Sequence, residues 1–295
     1  MEFRPLNEFT LDRLAAMWND GFAGYFVDAT TTPEGFLRRF AAEQLSLDLS
    51  FAAVLNGEPI GFVLSGARTI QGRKLAWNGG TGIVPAHRGR GVGKAMIAEA
   101  LRRYEAAGIG LATLEAISAN EAAIALYERM GYRTIDRLKI FQHGGELKAD
   151  AFGAPGALPV AVRRGPTHEL AGLACYDWTA PWQAQWMHPA NAEAAIAYDE
   201  QGRPLGYALF KTVRDEEGKP ASITLFQCRA AASREDAGAV ASALLSDVFV
   251  PGQTIARRTL NLPASHDDAV RALEQAGFAL ALEQVYMTRS LSESR

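Results

Sequence analysis

The stretch H-R-G-R-G-V-G-K-A-M, His87 to Met96, sets three glycines and the basic residues Arg88, Arg90 and Lys94 between an apolar run and a segment of helical period. Glycines let a backbone turn so that its N–H groups converge. A loop that then enters a helix N-terminus adds unpaired donors and the positive end of the helix dipole, which together favour an anion. Two phosphate-binding patterns fail on spacing. The P-loop needs G-x-x-x-x-G-K-[ST], but Gly89 to Gly93 is one residue short and Ala95 follows Lys94. The dinucleotide fingerprint G-x-G-x-x-G has Lys94 in place of its third glycine.

The surroundings read as alternating strands and helices. Residues 51–67 predict a hairpin turning at Asn56-Gly57, and residues 75–84 predict a strand ending at Pro85. From Gly93, Ile97, Ala100, Leu101 and Tyr104 fall on one helical face, with Gly108 as the stop. Residues 111–117 predict the next strand. Ser118-x-x-Glu121 then has capping-box spacing before a helix that stops at Gly131. The order predicts a mixed α/β class.

With 295 residues the chain is long for one core and natural for two. A net charge of −3 argues against a general nucleic-acid binder, so any anion site is local. The opening residues lack a signal-peptide core and no apolar run approaches a membrane span, which predicts a soluble, cytoplasmic protein, monomer or homodimer, with no membrane partner. Cys175 and Cys228 are too few for a disulfide framework or a thiolate zinc site. The five histidines show no metal-ligand spacing, there is no G-x-S-x-G elbow, and no metal is expected.

Periodicity lapses over residues 146–159, the expected linker between domains at 1–145 and 160–295. Beyond it the first half recurs. N-G-E-P-I-G-F-V-L from Asn56 matches Q-G-R-P-L-G-Y-A-L from Gln201, an offset of 145. N-E-A-A-I-A-L-Y-E-R-M-G-Y from Asn120 matches H-D-D-A-V-R-A-L-E-Q-A-G-F from His266, an offset of 146. The chain reads as a tandem repeat with diverged copies.

The motif R-x-x-G-x-G (Arg88, Gly91, Gly93), followed by N-x-x-A-x-x-L-Y-x-x-x-G-Y from Asn120 to Tyr132, resembles the GNAT superfamily of acetyl-CoA-dependent N-acetyltransferases. The resemblance is close over residues 1–143 and weak in the second copy. It implies a twisted, mostly antiparallel sheet with flanking helices, whose fourth and fifth strands splay into a cleft for the coenzyme's pantetheine arm. The pyrophosphate would rest on the loop Arg88, Gly89, Arg90, Gly91, Val92, Gly93 and Lys94. Thr81, Gly82, Ile83 and Val84 would offer backbone groups to the acetyl end, one of them to the oxyanion. Asn120 stands where the family often contacts coenzyme; a helix-start role is the other reading.

The resemblance also implies the chemistry, transfer of an acetyl or other short acyl group to a primary amine by direct attack in a ternary complex. Tyr127 stands where the family carries the tyrosine that protonates the leaving thiolate. Trp77 occupies the fourth-strand position at which many members place a glutamate. The segment L-E-A-I-S-A-N (Leu114–Asn120) is similar to a subgroup that places it on the fifth strand, which makes Glu115 the candidate general base, with a water relay or an already neutral amine as alternatives. Trp18, Tyr25 and Asp28, with Trp77 and Asn78, are candidate acceptor contacts. The acceptor itself, whether small amine, antibiotic, peptide N-terminus or lysine, stays open.

The offset pairs Arg88–Gly93 with S-R-E-D-A-G (Ser233–Gly238), which brings Glu235 and Asp236 to the loop, and pairs Tyr127 with Leu273. The second copy is therefore expected neither to bind acetyl-CoA productively nor to catalyse. Trp178, Trp182 and Trp186 would form one stripe if helical, as a buried inter-domain face or a substrate wall. A non-catalytic acyl-CoA sensor or partner-binding module is the alternative function class.

Overall fold

In a computed structural model, which describes residues 1–153, 160–231 and 235–291, the chain divides into two units. The first comprises Met1–Ile135 together with Val285–Arg295, and the second Asp136–Gln284.

The first unit runs β1 (Glu2–Pro5), α1 (Leu11–Gly21), α2 (Pro33–Ala42), β2 (Phe51–Leu55), β3 (Glu58–Ile70), β4 (Arg73–Ile83), α3 (Val92–Ala106), β5 (Leu111–Ile117) and α4 (Glu121–Arg129). Strands β1 to β4 pair antiparallel in sequence order, and β5 joins β4 in parallel. Asn56 and Gly57 both have positive φ (54° and 84°), the turn that suits the twist of the β2–β3 hairpin. Threonine side chains cap α1 (Thr10 to the Arg13 N–H) and α2 (Thr32 to the Gly35 N–H).

Strand alternation then builds two cores. Ala52, Val54, Phe62 and Leu64 face α1 and α2 with Trp18 and Phe36. Phe51, Ala53 and Val63 face the opposite side with Ile97, Ala100, Leu101 and Tyr104 of α3. The helical face read from sequence is thus the buried face of α3. Gly108 and Gly131 have positive φ just beyond α3 and α4, as expected of stops.

The chain continues through β6 (Arg133–His143), β7 (Ala161–Pro166), β8 (Glu193–Tyr198), β9 (Pro204–Arg214), β10 (Pro220–Ala230), α5 (Ala237–Phe249), β11 (Ala256–Thr259), β12 (Leu262–Pro263), α6 (Asp267–Gln275) and β13 (Ala279–Ser290). Strands β7 to β10 pair antiparallel, and β11 joins β10 in parallel, the same topology as β1 to β5. The starts of β9, α5 and α6 follow those of β3, α3 and α4 by 146, 145 and 146 residues. The fold is a mixed α/β tandem.

Several sequence expectations change. The cap of α4 is Asn120, which accepts from the Ala123 N–H, and not Ser118; the helix starts two residues later than the capping box implied. Of the expected linker, residues 154–159 lie outside the described residues. Residues 146–153 supply Leu147 and Phe152 to the second unit's core. The three tryptophans form no helical stripe: Pro181 breaks the segment, a short 3-10 turn covers Trp182–Ala184, and Trp178 and Trp186 pack in the second unit's own core around Tyr176 and Tyr207. The end of the chain joins the first unit, where the Leu291 N–H donates to the Gly110 carbonyl.

Candidate active site

The β4–β5 register runs from Leu75↔Leu111 to Asn78↔Leu114 and stops there. From Gly79 onward β4 stays paired to β3 on one edge only, and β5 continues through Glu115 to Ile117. The parting coincides with a bulge: the β3 partner shifts between Leu64↔Gly80 and Ser65↔Asn78, which leaves Gly79 as the extra residue. Thr81, Gly82 and Ile83 therefore keep one backbone edge toward the gap. Val84 turns its N–H to the Ile60 carbonyl.

The glycine loop follows. Gly91 is the N-cap of α3 with φ 83° and no side chain to satisfy the first-turn donors, whereas α1, α2 and α4 are each capped by a side chain. Gly89 is also at positive φ, and a Cβ on either would meet open space, so conformation alone requires glycine there. At Gly93 a Cβ would lie 3.0 Å from Leu126, so this glycine serves the packing of α3. Arg90 and Lys94 are exposed beside the free donors. Arg88 is committed elsewhere: its guanidinium donates to the carbonyls of Ile83 (2.9 Å), Gly21 (3.1 Å) and Ala23 (2.8 Å), tying the loop to the end of α1. An uncapped helix start with exposed cations fits a pyrophosphate.

Two titratable groups stand at the gap. Tyr127, buried on α4, has a side-chain hydrogen bond with Thr81, and burial pushes its phenol up to about 12. Thr81 in turn accepts from the Asn78 amide at 2.8 Å. On β5, burial pushes the Glu115 carboxyl up to about 7, against the pull of the Trp77 indole N–H, which donates to Oε2 at 2.6 Å; nearby Glu43 adds to the rise. Oε1 of Glu115 is buried with no hydrogen-bond partner. A carboxyl poised near neutrality can serve as a base, and a protonated phenol as an acid.

The remaining candidates scatter. Asn120 caps α4, the helix-start role, and also hydrogen-bonds Tyr25; burial raises the Tyr25 phenol, against that bond. Trp18 is a core residue whose indole donates to the Ala29 carbonyl at 2.6 Å. Asp28 is exposed and bonded to Thr30, whose side chain and N–H hold the carboxyl below its usual range. Asn78 is buried and bonded within β4. Sequence reasoning missed Glu43 and Arg39. Arg39 donates to the Gly79 carbonyl at 3.1 Å and lies 4.7 Å from the Trp18 ring centroid. Neither sits in a motif.

In the second unit, Ser233 lies outside the described residues, while Glu235 and Asp236 are exposed, Asp236 as the cap of α5. Leu273 is fully buried at the Tyr127 position. A cavity of about 240 Å³ in the second unit is lined by Cys228, Arg229, His266, Asp267 and Asp268 among others.

Residues 14–132 match the model of the acetyltransferase (GNAT) family. The mycothiol acetyltransferase of Streptomyces avermitilis is 36% identical over 84 residues, a match covering 28% of this chain and 27% of that protein's length. Among solved structures, a GCN5-related N-acetyltransferase from Sphaerobacter thermophilus superposes with a TM-score of 0.67 at 14% identity, over 98% of this chain and 95% of the other. A tandem GNAT protein of the clavulanic acid biosynthesis pathway does so with a TM-score of 0.59 at 15% identity, over 100% and 99%. At such identities the structural matches are likenesses of fold.

Proposed function

From the premise that residues 14–132 carry a GNAT-family acetyltransferase domain, we propose that the first unit transfers an acetyl or short acyl group from acetyl-CoA to a primary amine in a ternary complex. The observation that carries this reading is the parting of β4 and β5 beyond Asn78↔Leu114, with the Glu115 carboxyl on β5 and the Tyr127 phenol hydrogen-bonded to Thr81 on β4.

The coenzyme would bring a thioester, its pyrophosphate held by the free N–H groups of the loop and α3 start. An alkylammonium has a pKa of roughly 10, so near pH 7 the acceptor must lose a proton before its lone pair can attack. Glu115 takes that proton, the C–N bond forms, and a β4 N–H facing the gap stabilises the oxyanion. The C–S bond then breaks, Tyr127 gives its proton to the sulfur and regains one from the amide nitrogen, which sheds its second proton, while Glu115 releases its own to solvent. The second unit, with an aspartate at the N-cap position of α5 and Leu273 for the tyrosine, contributes no chemistry in this reading.

Calorimetric titration with acetyl-CoA tests the premise. One equivalent per chain is expected; no binding, or two equivalents, would refute this assignment.

A further inference from the structure

Trp77 stands where a fourth-strand carboxylate would otherwise be, and it lies within the site without an assigned task. Its partner across the sheet is Thr113, so Glu115 is the diagonal neighbour two residues on, within reach of a long aromatic side chain. The ring is only 3% exposed. It also lies against the bulge: a Cβ on Gly79 would sit 2.4 Å from Cζ3 and 2.7 Å from Cη2 of the indole. Any larger residue at 79 would therefore displace the ring. The bulge and the glycine together hold the indole in one place, its N–H 2.6 Å from Oε2 of Glu115.

A carboxylate tied at one oxygen has a fixed orientation and one oxygen to spare. Here the spare oxygen is Oε1, buried and without a hydrogen-bond partner. Such an atom is costly to keep unless something reaches it during function. The charges around Glu115 do not satisfy it. Glu43, at the end of α2, repels the carboxylate, and Arg39 on the same helix is turned to the Gly79 carbonyl. The strand β13 carries Arg289, whose guanidinium is bonded to the Met130 carbonyl. β4 contributes only the neutral indole.

We propose that Trp77 is a positioning residue: its indole N–H pins Oε2 of Glu115 and leaves Oε1 as the oxygen that takes the proton of the acceptor amine. The inference rests on Glu115 acting as base in the acyl transfer above. It makes the fourth-strand tryptophan a functional replacement, a donor that orients the fifth-strand carboxylate, and gives Gly79 the role of keeping that tryptophan in place.

The test has an arm that needs no substrate. In the ¹⁵N-labelled full-length chain, the Trp77 indole resonance, assigned by its loss in Trp77→Phe, should move with pH in a single step centred at about 7. Glu115→Gln should abolish the step while the resonance remains. A resonance that stays flat from about pH 5 to 9 would overturn the proposal, and so would a step unaffected by Glu115→Gln. In the second arm, kcat/KM is measured against pH with acetyl-CoA and the best acceptor among spermidine, an aminoglycoside, a tripeptide amide and free lysine. Loss of a donor to the carboxylate raises its pKa, so the acid limb in Trp77→Phe should move up by about one pH unit with KM for acetyl-CoA unchanged. An unmoved acid limb in a folded, active Trp77→Phe overturns the positioning role alone. A titrating indole in a chain that releases no thiol with any acceptor overturns the acyltransferase reading and the catalytic part of this proposal with it.

Discussion

Tyr127 on α4 and Thr81 on β4 share a side-chain hydrogen bond across the point where β4 and β5 separate. The bond places a protonated phenol on the strand edge that would receive the thioester. Tyr127→Phe removes the proton and keeps the ring. It should lower kcat by about 100-fold or more while changing the acetyl-CoA dissociation constant less than about twofold. Equal turnover would remove Tyr127 from the mechanism.

Gly91 caps α3 at a φ of 83° with no side chain over the first-turn donors. Gly91→Asp copies Asp236 of the second unit, placing a carboxylate where the pyrophosphate would bind and straining the left-handed backbone. Calorimetry should show acetyl-CoA affinity falling at least about 100-fold, with circular dichroism unchanged. An unaltered affinity would mean that the loop does not hold the coenzyme.

Glu115 ties stability to pH. Its folded pKa of about 7 lies above the ordinary value of 4.5, so between them the folded state holds a proton that the unfolded state has lost. The native carboxyl is thus most favourable at low pH, and stability is lost as pH rises through 7. Glu115→Gln abolishes that loss. Urea unfolding should show the variant gaining on the wild type by roughly 2–3 kcal/mol between pH 5 and pH 8. A gap that is the same at both pH values would show that the carboxyl is not held near neutrality.

In the second unit, His266 Nε2 lies 3.1 Å from Asp177 Oδ2, both side chains buried. Burial alone would raise the Asp177 carboxyl, but bonds from His266 and Thr179 outweigh it and hold the group at about 2. Breaking such a pair from one side leaves a buried group unmatched. Asp177→Ala should destabilise the chain by about 3–5 kcal/mol in denaturant while leaving acetyl-CoA affinity below the transition intact. A loss of affinity in the folded variant would place the second unit in the coenzyme site.

What the sequence disclosed was decided within a few residues. Asn56-Gly57 needs only its own backbone freedom to turn the β2–β3 hairpin, and the Ile97 to Tyr104 period needs only one helix to mark a buried face. The glycine spacing at 89, 91 and 93 is equally local. What escaped depends on approach between distant segments. Nothing near Arg88 announces that its guanidinium will close on Gly21 and Ala23, 67 and 65 residues earlier. The Trp77 indole finds Glu115 only because the β4–β5 register and the Gly79 bulge set the diagonal. Ser118 and Asn120 both have capping chemistry, and it is Asn120 whose side chain accepts from the Ala123 N–H at the start of α4. The tryptophans at 178, 182 and 186 have helical spacing, but Pro181 excludes the helix.

The central claim is acyl transfer to an amine by the first unit, and release of free thiol tests it most directly. Purified chain is mixed with acetyl-CoA and, in turn, spermidine, an aminoglycoside, a tripeptide amide and free lysine, at pH 6 to 9. The account predicts thiol release that depends on at least one acceptor, is stoichiometric with the acetylated amine, and is lost in Tyr127→Phe. Tight acetyl-CoA binding with no thiol released across the panel would contradict it.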